Sequence, residues 1–137
     1  MRQLAGHRIL VCLGGGGVGK TTVSAAIALG AAVAGRRALV LTVDPARRLA
    51  GALGLASLPG QPTPVAFPPA EGRLLAMMID QATAWDRLLA RHASSATRER
   101  LMDSRFYQVL SRQFAGTTEY LAIDEIAELA ASGAFDL

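Results

Sequence analysis

The chain has 137 residues, 51% of them hydrophobic and 18% charged, with a formal net charge of +3 and one cysteine. That length suits one domain with a real core; the composition excludes a disordered chain and the lone cysteine a disulfide framework. Residues 1–68 hold seven basic side chains and one acidic, residues 69–137 seven basic and ten acidic, so the first half favours an anionic ligand, while arginines not interleaved with aromatics give no reason to expect nucleic acid.

Arg2 and Arg8 precede an apolar run too short to span a membrane and without a cleavage-type site, so no signal peptide is expected and the chain reads as cytoplasmic. His7 to Leu13, HRILVCL, predicts a buried strand ending at glycine, with Cys12 as a buried, inert thiol. Gly19 to Ala34 is alanine-rich and free of proline and predicts a helix closed by Gly35. Ala38 to Asp44, ALVLTVD, predicts a second continuous apolar strand. Strand, helix and strand form a βαβ unit, and hydrophobicity throughout both strands implies a parallel sheet covered on both faces. Asp44-Pro45 opens a short helix through about Leu53, with Asp44 as its N-cap and Pro45 at its first position.

Five prolines between 57 and 72 predict an irregular loop. Arg73 to Asp80 predicts a third strand. Gln81 to His92 predicts an amphipathic helix, with Trp85, Leu88, Leu89 and His92 on one face. Phe106, Leu110 and Phe114 mark another short helix, Glu119 to Ala131 a longer acidic one, and the final GAFDL the start of a strand. The fold class expected is α/β, a three-layer arrangement around a mostly parallel sheet.

The chemistry concentrates in LGGGGVGKTT, Leu13 to Thr22. Gly14-x-x-x-x-Gly19-Lys20-Thr21 fits the P-loop pattern and stands between a predicted strand and a predicted helix. Four consecutive glycines, Gly14 to Gly17, cost backbone entropy. A phosphate chain that must approach backbone N–H groups closely explains them, because a Cβ would block the approach. Lys20 would reach the β- and γ-phosphates, the Thr21 hydroxyl would bind Mg²⁺, and Thr22 could reach the α-phosphate. Lys20 is also the sole lysine among fourteen basic residues, which sets a compact ammonium apart at this one place. Asp44, at the carboxyl end of a parallel strand, would face the nucleotide crevice and orient the attacking water.

With GGGGVGKTT, LTVDPARRLAGALG and AGTTEYLAIDEIAELAASGAFDL in hand, the chain resembles the ArsA family of ATPases, relatives of MinD- and ParA-type proteins. The resemblance implies a P-loop NTPase fold with a deviant Walker A motif. It implies ATP and Mg²⁺ held by Gly14, Gly15, Gly16, Gly17, Val18, Gly19, Lys20, Thr21 and Thr22, with Thr21 as metal ligand and Lys20 and Asp44 as catalytic residues. It also implies a nucleotide-driven homodimer acting on a transported ion, a protein client or a membrane partner. Residues 1–137 are expected to be the N-terminal part of one such domain, the strand and switch that follow in the family lying beyond Leu137, with a helical segment over 81–132. Besides the segments expected beyond Leu137, the chain departs from the family at Gly15, which stands where a second, cross-subunit lysine is usual. An arginine, Arg47 or Arg48, could take its place.

Two other functions stay open at this stage. One is a nucleotide-binding module with little or no hydrolysis, consistent with Gly15 and with the acidic residues of the family's later switch not being among residues 1–137. The other is a P-loop kinase or GTPase-like protein, which no guanine-specificity motif supports. Arsenite binding would need several thiolates, against one cysteine. A client groove over Met77, Met78, Trp85, Leu88, Phe106 and Phe114 competes with ordinary core packing, which the helical spacing favours. His7 and His92 lack metal-ligand spacing.

Overall fold

The computed structural model describes residues 6–44, 47–67, 71–105, 107 and 117–137. Among them run α1 (Lys20–Val33), β1 (Arg37–Thr42), α2 (Arg48–Ala52), β2 (Thr63–Pro64), β3 (Arg73–Met78), α3 (Gln81–His92), α4 (Ser95–Met102) and α5 (Thr117–Ala131). The sheet has the order β1-β3-β2. β1 and β3 are parallel, in register from Arg37 opposite Arg73 to Thr42 opposite Met78. The two-residue β2 lies antiparallel to β3, inside the segment expected to be irregular.

Successive side chains of a strand point to opposite faces, and here both faces are covered. Ala38, Val40, Leu74 and Ala76 share a core with Ala25, Ala28, Ala31 and Ala32 of α1 and with Leu49 and Ala50 of α2. On the other face Met77 and Ile79 join Leu39, Leu41, Ala84, Trp85, Leu88, Leu121 and Ala122, so α3 and α5 cover that side. The result is the expected α/β sandwich of helices around a sheet. Small residues on α1 and on the facing strand positions let that helix lie close to the sheet. Met77, Trp85 and Leu88 are therefore core residues, and Met78 packs against the α1 side. Phe106 and Phe114, and with them most of the short helix expected there, lie outside the described residues.

α1 ends as its sequence dictates. Gly35 takes φ 87°, its N–H donates to Ala32 O and the Arg36 N–H donates to Ala31 O, so these two carbonyls are satisfied and the chain turns into β1. α3 matches its expected bounds because its start is written locally: the Asp80 carboxylate accepts from Thr83 N at 2.9 Å. α4 falls inside the helical segment expected over 81–132, though without bounds of its own there, and Ser94 caps it through Thr97 N in the same manner.

Two expectations fail. His7–Leu13 is not a buried strand: the segment joins no ladder among the described residues, and Ile9, Val11 and Leu13 are 47%, 67% and 86% exposed. A strand needs a neighbouring edge, and the outer edge of β1 is met instead by the last two residues. Asp136 N donates to Arg37 O and Leu39 N donates to Leu137 O at 2.8 Å each, so GAFDL does begin to pair as expected. Between β1 and residues 8–13 lies a cavity rather than a ladder. Cys12 accordingly is free and half-buried, not buried. Second, Asp44 is not the N-cap of α2. That helix begins at Arg48, capped by Arg47 in a left-handed conformation, φ 55°, which interrupts any helix running in from Asp44. Pro45 and Ala46 lie outside the described residues.

Candidate functional site

The glycine run forms the turn that feeds α1. Gly17 and Gly19 have φ of 77° and 86°, a left-handed backbone that costs a side-chain-bearing residue roughly 1–2 kcal/mol. Gly15 and Gly16 are different. Neither has a positive φ, and a Cβ on either would meet nothing within 4 Å. The protein itself therefore makes no demand for glycine at these two positions, and the open side of the loop is where a ligand would make it.

Gly19 caps α1 without any side-chain hydrogen bond. The first N–H groups of a 14-residue helix thus point toward the loop with no side chain to satisfy them, and the helix dipole adds partial positive charge there. Lys20, the first residue of α1, turns back across the loop and donates from Nζ to Gly15 O at 2.6 Å. Thr21 is half-buried and Thr22 exposed beside it. This donor set, with backbone N–H groups, one ammonium and two hydroxyls, fits a phosphate chain, and the Thr21 hydroxyl is a hard oxygen suited to Mg²⁺.

A cavity of about 1180 Å³ opens from this loop along β1. Gly17, Gly19, Lys20, Thr21, Thr22, Asp44 and Arg48 line its polar end, and residues 9–13, β1 and Ile123 and Ile126 of α5 line its apolar walls. Gly14, Gly15, Gly16 and Val18 belong to the same loop but are not among its lining residues. The structure so brings Lys20, Thr21 and Asp44 to one space.

Asp44 sits two residues past the end of β1. Its N–H donates to Thr42 Oγ1 at 3.1 Å, and its Oδ2 accepts from Arg48 Nη1 at 3.1 Å. The i,i+4 spacing that makes such pairs on a helix here spans the residues leading into α2. Asp44 also borders a second, smaller cavity of about 270 Å³ with Thr42, Arg47, Ser57, Leu58 and Met78. Thr42 went unremarked at the sequence level, though a hydroxyl two positions before the aspartate at the end of an apolar strand was a visible signal. The α5 wall was not visible in the same way, because nothing local says which strand α5 covers.

A family model described as anion-transporting ATPase matches residues 7–137. Among curated proteins, the ATPase BagA of Mycobacterium tuberculosis is 34% identical over 83 residues, 61% of this chain and 24% of that protein. A Prosthecochloris vibrioformis protein, provisionally named an arsenical pump-driving ATPase, is 48% identical over 58 residues, 42% of this chain and 14% of its own length. Protein Rv2184c of Mycobacterium tuberculosis is 34% identical across 94% of this chain, which covers 33% of it. The chain thus spans at most about a third of the length of these relatives.

Proposed function

The chain belongs to the anion-transporting ATPase family, and from that premise we propose that residues 14–22 are a P-loop for MgATP and that the protein hydrolyses it. Residues 1–137 would form part of one P-loop domain. The observation that carries the reading is the glycine loop: open space in front of Gly15 and Gly16, no side-chain cap on α1 and Lys20 folded over the turn. Loop and first-turn N–H groups bind phosphate oxygens. Lys20 exchanges the Gly15 carbonyl for the β- and γ-phosphates, and Thr22 reaches the α-phosphate. Thr21 holds Mg²⁺, which neutralises charge on the phosphates when bound.

Asp44 accepts a hydrogen bond from the attacking water. The water oxygen bonds to the γ-phosphorus and gives up a proton to a γ-phosphate oxygen, the bond from that phosphorus to the β–γ bridging oxygen breaks, and ADP and inorganic phosphate leave. Change of nucleotide state then drives a partner or a transport step, with a homodimer across the nucleotide site as the working unit. The name of the Prosthecochloris relative supports a transport role of this kind.

The test is calorimetric titration of the full-length protein with MgATP, with Lys20→Ala as control. Micromolar binding lost in the variant, at unchanged circular dichroism, is the expected result. Equal ATP affinity in the two proteins would overturn the phosphate-cradle reading.

A further inference from the structure

Two arginines follow Asp44, and the fold sends them to different places. Arg47, left-handed in its backbone, borders the smaller of the two cavities and is not among the lining residues of the larger. Arg48 borders the large cavity together with Lys20, Thr21 and Asp44, and its Nη1 lies 3.1 Å from Asp44 Oδ2. The next two residues, Leu49 and Ala50, are buried against the α1 face of the sheet, so the rotation of α2 is fixed and Arg48 is left outside that core, 66% exposed at its side chain.

We propose that Arg48 is the second cation of the nucleotide site, a residue that holds Asp44 while the site is empty and moves its guanidinium to the terminal phosphate when a nucleoside triphosphate binds. The inference rests on the reading of the glycine loop as a phosphate cradle. An exposed carboxylate–guanidinium pair is a weak interaction and is readily exchanged. A terminal phosphate carries more charge and offers the planar guanidinium fork two oxygens at once. Asp44 is the residue read as facing the attacked phosphorus, so its ion-pair partner stands beside the same group. The exchange takes the guanidinium off Asp44 Oδ2, the oxygen offered to the water, only when a third phosphate is present. A diphosphate leaves the Asp44–Arg48 pair intact.

The consequence is discrimination between triphosphate and diphosphate, readable as binding alone. The full-length protein, Arg48→Ala, Arg48→Lys and Arg47→Ala are each titrated with MgATP and MgADP, and their thermal midpoints are recorded. Arg48→Ala is expected to weaken ATP about tenfold, the scale of a lost charged hydrogen bond, and to leave ADP unchanged. Arg48→Lys should recover part of the loss by restoring the charge without the fork, and Arg47→Ala should bind both nucleotides like the parent. Unchanged ATP affinity in Arg48→Ala would overturn the proposal while leaving the phosphate cradle standing. So would an equal loss of ATP and ADP affinity, since that is the mark of a merely structural role. If the parent protein bound neither nucleotide, both readings would fall together.

Discussion

A Cβ on Gly72 would lie 2.2 Å from Ala32 O, 2.5 Å from Arg36 O and 2.8 Å from Arg36 N. All three are backbone atoms, at the end of α1 and the entry to β1, and none can swing aside as a flexible side chain can. Gly72→Ala should therefore destabilise the fold by about 3 kcal/mol, the upper range for overpacking, seen as a fall in the midpoint of urea unfolding. Gly16→Ala should do the reverse of this. Its Cβ meets nothing and its φ is not positive, so stability should hold or rise slightly, while MgATP affinity falls because the methyl group occupies the phosphate's approach. Loss of stability without loss of affinity in Gly16→Ala would mean that the loop is only a turn. The two glycines were not equally legible. Gly16 sits in a pattern that names its own chemistry. Gly72 lies in a proline-rich stretch, and its reason is a backbone contact from forty residues upstream.

At the scale of elements, α3 and α5 are joined by charge as well as by their apolar core. Glu125 is buried at 6% exposure and lies 3.3 Å from Arg87 Nε, and Arg87 also donates from Nη2 to Gly60 O. Arg91 pairs with Asp124 and, at 3.9 Å, with the more exposed Glu128. Glu125 is buried, but Arg87 is 32% exposed and its Nε makes no hydrogen bond among the described residues, so Glu125→Ala should cost roughly 1–2 kcal/mol, whereas Glu128→Ala should cost less than about 0.5 kcal/mol. Thermal or urea unfolding of the two variants side by side checks the ranking, and equal losses would contradict it. These elements also show what a sequence can carry. α3 could be bounded from its residues because its Asp80 cap and its apolar face are local facts. The start of α2 could not, because the left-handed turn at Arg47 follows from where Leu49 and Ala50 must pack. The strand expected at His7–Leu13 failed for a non-local reason as well: apolar alternation says that a segment can pair, and the fold decides whether a neighbour is there.

Over the whole molecule, three distant parts of the chain start together at one end of the sheet. The Arg36 guanidinium donates to His7 O and to Asp136 O. Arg37 clasps the Asp136 carboxylate through its backbone N–H at 2.8 Å and its guanidinium at 2.7 Å. That clasp sets Leu137 against Leu39 on the outer edge of β1, beside the cavity that leads to the glycine loop. The hydrogen bonds from Arg37 hold the Asp136 carboxyl down to about 2, against an ordinary value of 3.8. A carboxyl lowered on folding stabilises the native state above its unfolded value, and the contribution fades as pH falls from 3.8 toward 2. Urea unfolding of the parent and of Asp136→Asn, followed downward from about pH 5, should show the parent more stable at the start. The gap should narrow below pH 3.8 and close near pH 2. Other carboxylates titrate in both proteins and cancel in the difference, so a gap that stayed constant with pH would mean that the clasp carries no charge-dependent stability. The amide of Leu39 gives a second readout of the same event, because its hydrogen bond to Leu137 O exists only while the clasp holds the C-terminal residues on β1. Asp136→Asn should raise its exchange rate relative to the amides that face β3, a pattern that general loosening of the sheet would not produce.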